Sequence, residues 1–171
     1  MPAFTVRQAT AEDAAAIADV HGDAVRGLGA VHYPPEIIAE WGAPRPPSRV
    51  RDSMDRGGIF FVAIDPEQED IESVLGFSSY AVDGDMHRIA VYVRGSAARQ
   101  GVGRAVYTAA ESVARAAGAP AIYVEAALGA VPFWTALGFE TLDRFDHTLA
   151  SGVLMPSVRM QKLLVPGGWS V

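Results

Sequence analysis

The sequence predicts an α/β domain in which antiparallel strands are followed by a strand-helix-strand unit, and three observations carry that expectation. Segments Ile59–Ile64, Ser73–Asp83 and Arg88–Val93 are rich in β-branched and aromatic residues and are separated by short polar turns, the pattern of a meander. From Val102 the apolar residues Val102, Val106, Ala109, Ala110, Val113 and Ala117 fall at offsets 0, 4, 7, 8, 11 and 15, one face of a helix that Gly118 ends. Ala121–Ala126 then reads as a strand again, so this helix crosses between two strands.

The other elements follow in order. Phe4–Arg7 has strand character, and Thr10 with Asp13 looks like the cap of a helix running through Ile17 and Val20 to about Val25. Residues 27–47 mix Gly, Pro and aromatic side chains around a short helix at Pro35–Trp41, where proline suits the first turn. A further helix over Ser48–Arg56 stops at Gly57-Gly58. After the crossover strand come a short helix at Ala130–Leu137, ended by Gly138, and two last strands at Glu140–Phe145 and Ser157–Leu164. One domain is expected over residues 1–165, with a loose tail at 166–171 and no repeat or linker.

Bulk properties narrow the function. With 50% apolar and 20% charged residues the chain is too hydrophobic to be disordered. No apolar run reaches the roughly 18 residues that cross a bilayer, and the start MPAFTVRQAT lacks a secretory layout, so no membrane partner and a cytoplasmic address are expected. The absence of cysteine excludes disulfides, thiolate ligands and a cysteine nucleophile, and four scattered histidines form no ligand cluster, so no metal is expected. A net charge of −6 argues against nucleic acid as a partner and, weakly, for a cationic acceptor.

The stretch from Tyr92 to Ala105 has the layout of an anion site: strand, short loop, helix start. A helix N-terminus presents unpaired amides and roughly half a positive charge, and Gly101 and Gly103 let a phosphate approach that backbone. Arg94, Arg99 and Arg104 add three cations to an otherwise acidic chain. A P-loop would need Gly-Lys-Ser/Thr where Gly103-Arg104-Ala105 stands, and a dinucleotide fingerprint would need glycine at Val106. Both fail. An ordinary strand-to-helix turn remains the alternative on these residues alone.

The run Val93-x4-Ala98-x2-Gly101-x-Gly103, together with Val131-Pro132-Phe133-Trp134-x3-Gly138-Phe139, resembles the paired signatures of the GCN5-related N-acetyltransferase (GNAT) family, at the family's usual separation. The order of elements over about residues 4–164 is similar as well. The resemblance implies a mixed, mostly antiparallel central sheet flanked by helices, in which two parallel strands, here Arg88–Val93 and Ala121–Ala126, splay apart to admit the pantetheine arm of acetyl-coenzyme A. It implies that Val91 and Val93 offer backbone groups to that arm, that the amides of Arg99, Gln100, Gly101, Val102, Gly103 and Arg104 hold the pyrophosphate, and that Phe133 and Trp134 lie at the cofactor. The reaction implied is acetyl transfer to a primary amine of a small molecule or peptide, and fold analogy adds a homodimer.

Such transfer requires a neutral amine, stabilisation of an oxyanion and a proton for the departing thiolate, but no covalent enzyme intermediate. For the base, His87 comes first, because imidazole titrates close to neutrality; Glu125 on the facing strand comes second and His147, in an expected loop, third. The bland alternatives are an exposed turn histidine and a salt-bridged strand carboxylate. Where the family usually has a tyrosine as general acid this chain has Trp134, which donates a hydrogen bond but no proton. Gly129 replaces an asparagine that commonly bonds the pantetheine arm, and Ala98 replaces a usual Gln or Arg. These departures motivate a rival reading, a non-catalytic coenzyme A sensor on the same fold. Ser157 is a further residue that could approach the thiol. The acceptor pocket is expected in the irregular region, with Arg26, His32, Tyr33 and Trp41 as contacts, Arg26 pairing with an acceptor carboxylate or lying on the helix surface.

Overall fold

The computed structural model describes residues 3–164. Seven strands form one sheet in the order β1-β2-β3-β4-β5-β7-β6. They are β1 (Thr5–Gln8), β2 (Ile59–Ile64), β3 (Val74–Asp83), β4 (Met86–Val93), β5 (Ala121–Ala127), β6 (Glu140–Thr148) and β7 (Leu154–Leu163). The helices are α1 (Ala14–Gly27), α2 (Pro35–Trp41), α3 (Ser48–Asp55), α4 (Val102–Ala116) and α5 (Val131–Ala136). All neighbouring strands pair antiparallel except β4 and β5, which are parallel.

Local chemistry accounts for most boundaries. The Asp13 carboxylate accepts from Thr10 N at 2.8 Å and from the Arg7 guanidinium at 2.8 Å, tying the end of β1 to the start of α1. Gly118 and Gly138 both adopt positive φ and close α4 and α5, as the sequence leads one to expect.

Two faces of the sheet are packed. On one, Ile89, Ile122, Val124 and Ala126 meet Tyr107, Ala110 and Ala114 of α4. On the other, Phe60, Val62, Phe77 and Tyr92 meet Ile17 and Val20 of α1. Ser78, fully buried under α4, donates its hydroxyl to Val106 O at 2.7 Å and so locks β3 to the crossover helix.

The last hairpin is longer than the sequence reading has it. β6 runs on to Thr148 and β7 begins at Leu154, so His147 is a strand residue opposite Met155, not a loop residue. The residues added to β6, Asp146 to Thr148, are polar and exposed, which is why alternation does not reveal them, whereas on β7 the added Met155 is buried against Tyr33, Ile37 and Leu149. Pro156 is tolerated inside β7 because the ladder with β5 stops at the Ala127–Ser157 pair, one residue short of it. The tail expected at 166–171 lies outside the described residues.

Candidate acetyl-transfer site

β4 and β5 pair at one register position, Arg88 with Tyr123, and then diverge. From Ala90 to Val93 the β5-facing edge of β4 therefore has no strand partner. Arg94 N donates to Leu75 O on β3 at 2.8 Å. Because backbone direction alternates along a strand, the N–H and C=O groups of Val91 and Val93 point the other way, into the gap. A cleft of about 1180 Å³ opens there, lined by Val91–Val93, by the start of α4, by α5 and by the segment between α1 and α3. That exceeds the upper end of ordinary small-molecule pockets, about 1,000 Å³, so it holds a long ligand with room beside it.

The head of α4 forms one end. Gly101 caps the helix with φ 83, and the first helical bond runs from Ala105 N to Gly101 O at 3.0 Å. Among the described residues the amides from Arg99 to Arg104 donate to no protein acceptor. Arg99 itself has φ 61, a conformation that costs a non-glycine residue about 1–2 kcal/mol and that turns the loop toward the helix axis. A Cβ at position 103 would lie 3.1 Å from Phe133 Cε2, so glycine lets the α5 ring pack over the helix start. Arg99, Gly101, Gly103, Arg104 and Phe133 line the cleft, whereas Val102 is a core residue and Gln100 bonds to Ser96 O at 3.2 Å.

Arg94 does not join this cationic turn. It is buried and donates to Val74 O, Ile71 O and Asp19 at 2.7–2.8 Å, a structural clamp between α1 and β3. Neighbouring Gly95 N is capped by Asp23 at 2.9 Å.

Trp134 is 4% exposed, edge-on to Phe133, Tyr107 and Phe139, and contributes one wall of the cleft from within the core. Tyr107 cannot serve in its place: its hydroxyl is held by Glu111 inside that core, and burial first, then the carboxylate, pushes its ionisation far up. At Gly129 a Cβ would stand 2.4 Å from His32 Cδ2, so the imidazole occupies the space a side chain at 129 would need.

The two base candidates separate. Glu125 lines the cleft, on the face of β5 shared with Tyr123 and Ala127, and its carboxylate meets Arg88 at 3.3 Å. His87 falls by strand alternation on the α4 face, where its Nδ1 is 2.7 Å from the Tyr80 hydroxyl and its ring stacks on Tyr80, and it is not among the lining residues. His147 and Ser157 both line the cleft, Ser157 donating to Met155 O at 3.2 Å.

The residues expected to contact an acceptor also divide. Tyr33 and Trp41 line the cleft, packed edge to face at 5.7 Å. The Tyr33 hydroxyl donates to Pro156 O at 2.6 Å and accepts from Leu128 N at 2.9 Å, so it fastens the α1–α2 segment across the ends of β5 and β7. Arg26 is outside the cleft; its guanidinium donates to Gly42 O at 2.8 Å and holds the end of α2. Sequence reasoning missed Arg45 and Arg49, which line the same half, and His21 beneath Tyr92, buried with both ring nitrogens unpartnered. Burial, aided by the fields of Arg45, Arg49 and Arg26, lowers the His21 imidazole to about 3 and keeps it neutral.

Comparisons agree with this geometry. Residues 27–139 match the model of the acetyltransferase (GNAT) family. Among solved structures, a GCN5-related N-acetyltransferase from Rhodopseudomonas palustris superposes with a TM-score of 0.80 at 24% identity, covering 94% of this chain and 95% of that one. The PaiA N-acetyltransferase from Thermoplasma acidophilum, solved with coenzyme A, gives 0.72 at 15% identity over 94% and 99%. A phosphinothricin acetyltransferase of the GNAT superfamily from Sinorhizobium meliloti, solved with acetyl-CoA, gives 0.70 at 20% identity over 95% and 89%. No curated protein matches the sequence. With the splayed β4–β5 pair, the uncapped head of α4 and a family match spanning most of its length, the chain belongs to the GNAT acetyltransferase family.

Proposed function

We propose that the protein transfers an acetyl group from acetyl-CoA to a primary amine of a small molecule or peptide by direct attack. The observation that carries this reading is one continuous cleft joining the free amides before and within the first turn of α4 to the unpaired edge of β4. Those amides, with Arg99 and Arg104, suit a pyrophosphate, and the edge groups of Val91 and Val93 suit an amide-bearing arm. When bound, acetyl-CoA would supply the acetyl group as a thioester, with the coenzyme A thiolate as the leaving group.

The chain's own groups then have definable tasks. A main-chain N–H of the open β4 edge faces the oxyanion, already oriented and needing no side chain. Glu125 accepts a hydrogen of the incoming ammonium and takes its proton, directly or through one water, so that the neutral amine attacks. We place the base there and not at His87 because only Glu125 borders the cleft. Trp134 gives no proton, so the thiolate is protonated by solvent or by His32, whose imidazole lies on the cleft wall against Gly129.

The test is steady release of free thiol from acetyl-CoA in the presence of an amine panel. The chain has no cysteine to react with a thiol reagent, so the background is clean. Micromolar acetyl-CoA binding without thiol release for any amine would instead support the sensor reading.

A further inference from the structure

The acceptor half of the cleft has an electrostatic character opposite to that of the chain. Its carboxylates are already engaged. Glu40 accepts from Ser151 N at 2.8 Å and from the Ser151 hydroxyl, and Glu125 pairs with Arg88 at 3.3 Å. Its arginines are not. Among the described residues neither Arg45 nor Arg49 has a carboxylate within ion-pair distance or a hydrogen-bond acceptor, although the chain carries 20 acidic residues against 14 basic ones.

The backbone that presents them is stiff. Arg45 stands between Pro44 and Pro46 in the run Ala43-Pro44-Arg45-Pro46-Pro47. Each proline fixes its own φ, and Pro46 also confines Arg45 to extended backbone. Arg49 follows in the first turn of α3. Arg45 is half-buried, and loss of water lowers its guanidinium from the ordinary range while neighbouring Arg49 adds to the effect. Arg45, Tyr92 and Glu125 all line the cleft, so the cation and the carboxylate border one chamber. A half-buried Arg45 on a rigid arm, with exposed Arg49 beside it on the cleft and no internal counter-ion for either among the described residues, is suited to a small oxyanion brought by a ligand.

We infer that the acceptor carries a carboxylate or phosphonate held by Arg45 and Arg49 while its amine lies toward Glu125, so that the substrates are acidic amines. This rests on the acetyl-transfer reading and replaces the cationic acceptor that net charge alone suggests. The local arrangement decides because net charge describes the distant field and not the contact.

The experiment compares amines that differ only in the anion. The common amino acids, β-alanine and aminoethylphosphonate are assayed for thiol release beside their carboxamides or neutral amines, and beside putrescine. The proteins are wild type, Arg45→Ala, Arg49→Ala, the double variant and Arg45→Lys. The best acid should exceed its uncharged counterpart by roughly 10- to 100-fold in kcat/KM, the alanine variants should remove that advantage through KM, and lysine should restore part of it. In parallel, the same acids are titrated calorimetrically into the protein saturated with coenzyme A. Acids that bind to wild type and not to the double variant, with no thiol released by any amine, would leave the anion site standing and remove the transfer reading. Turnover of carboxamides or putrescine at least equal to that of every acid would overturn the anion site and keep the transfer reading. Acid turnover and binding unchanged in the double variant, or no acid bound by wild type, would overturn the anion site as well.

Discussion

Position 103 offers the sharpest test of how the cleft grips its cofactor, because one substitution there keeps the backbone amide and the other removes it. Gly103→Ala keeps the amide and adds a methyl group 3.1 Å from Phe133 Cε2 and 3.4 Å from Val93 Cγ2, both side-chain atoms able to yield a few tenths of an ångström. Gly103→Pro adds the same carbon, deletes the N–H and puts a ring where the phosphate would lie. Proline is tolerated in a first helical turn, where no intrahelical bond is lost. A hydrogen bond to a charged partner contributes about 1.5–3 kcal/mol, so the proline variant should bind coenzyme A some ~10- to 150-fold more weakly than the alanine variant. Calorimetric titration measures the two constants, and thermal melts with circular dichroism show that both variants fold. Proline binding as tightly as alanine, at equal helicity, would refute the claim that these amides hold the pyrophosphate.

Glu125→Gln should lower kcat by about 100-fold or more, as loss of a general base does, with acetyl-CoA affinity unchanged. His87→Ala, read in the same rate assay, should leave the pH profile intact, since the imidazole faces Tyr80 and not the cleft. Tyr33→Phe strands Leu128 N and Pro156 O, and thermal melts should show a loss on the order of 1–3 kcal/mol, with a higher acceptor KM as the α1–α2 segment loosens. Burial opposes ionisation of Glu111, but donors from Tyr107, Lys162 and Arg115 outweigh it and lower its carboxyl from 4.5 to about 2. A depressed carboxyl stabilises the fold above its unfolded value and loses that contribution as pH falls through the folded one. The melting-temperature gap between wild type and Glu111→Gln should therefore be full above pH 4.5 and close toward pH 2; a constant gap would contradict the network.

What the sequence by itself determined is local. Helical periodicity from Val102, the glycine that stops it, and the strand-helix-strand order place α4 and its glycine-bearing first turn within a residue or two, because apolar spacing and turn chemistry are properties of neighbours along the chain. The β-branched runs give β2 and β4 in the same way. The tertiary structure decided everything that depends on which surface a side chain meets. Arg94, next to the anion loop in sequence, is consumed by Asp19 and two carbonyls. Strand alternation sends His87 to the α4 face and Glu125 to the cleft. Beside Gly129 the imidazole of His32, from a segment far away in the chain, takes the space a Cβ would need. Arg45 and Arg49 carry no motif at all. They stand out only once the fold shows that the two carboxylates lining the cleft, Glu40 and Glu125, have other partners, and a charge without a counter-ion is a fact about space that no spacing along the chain records.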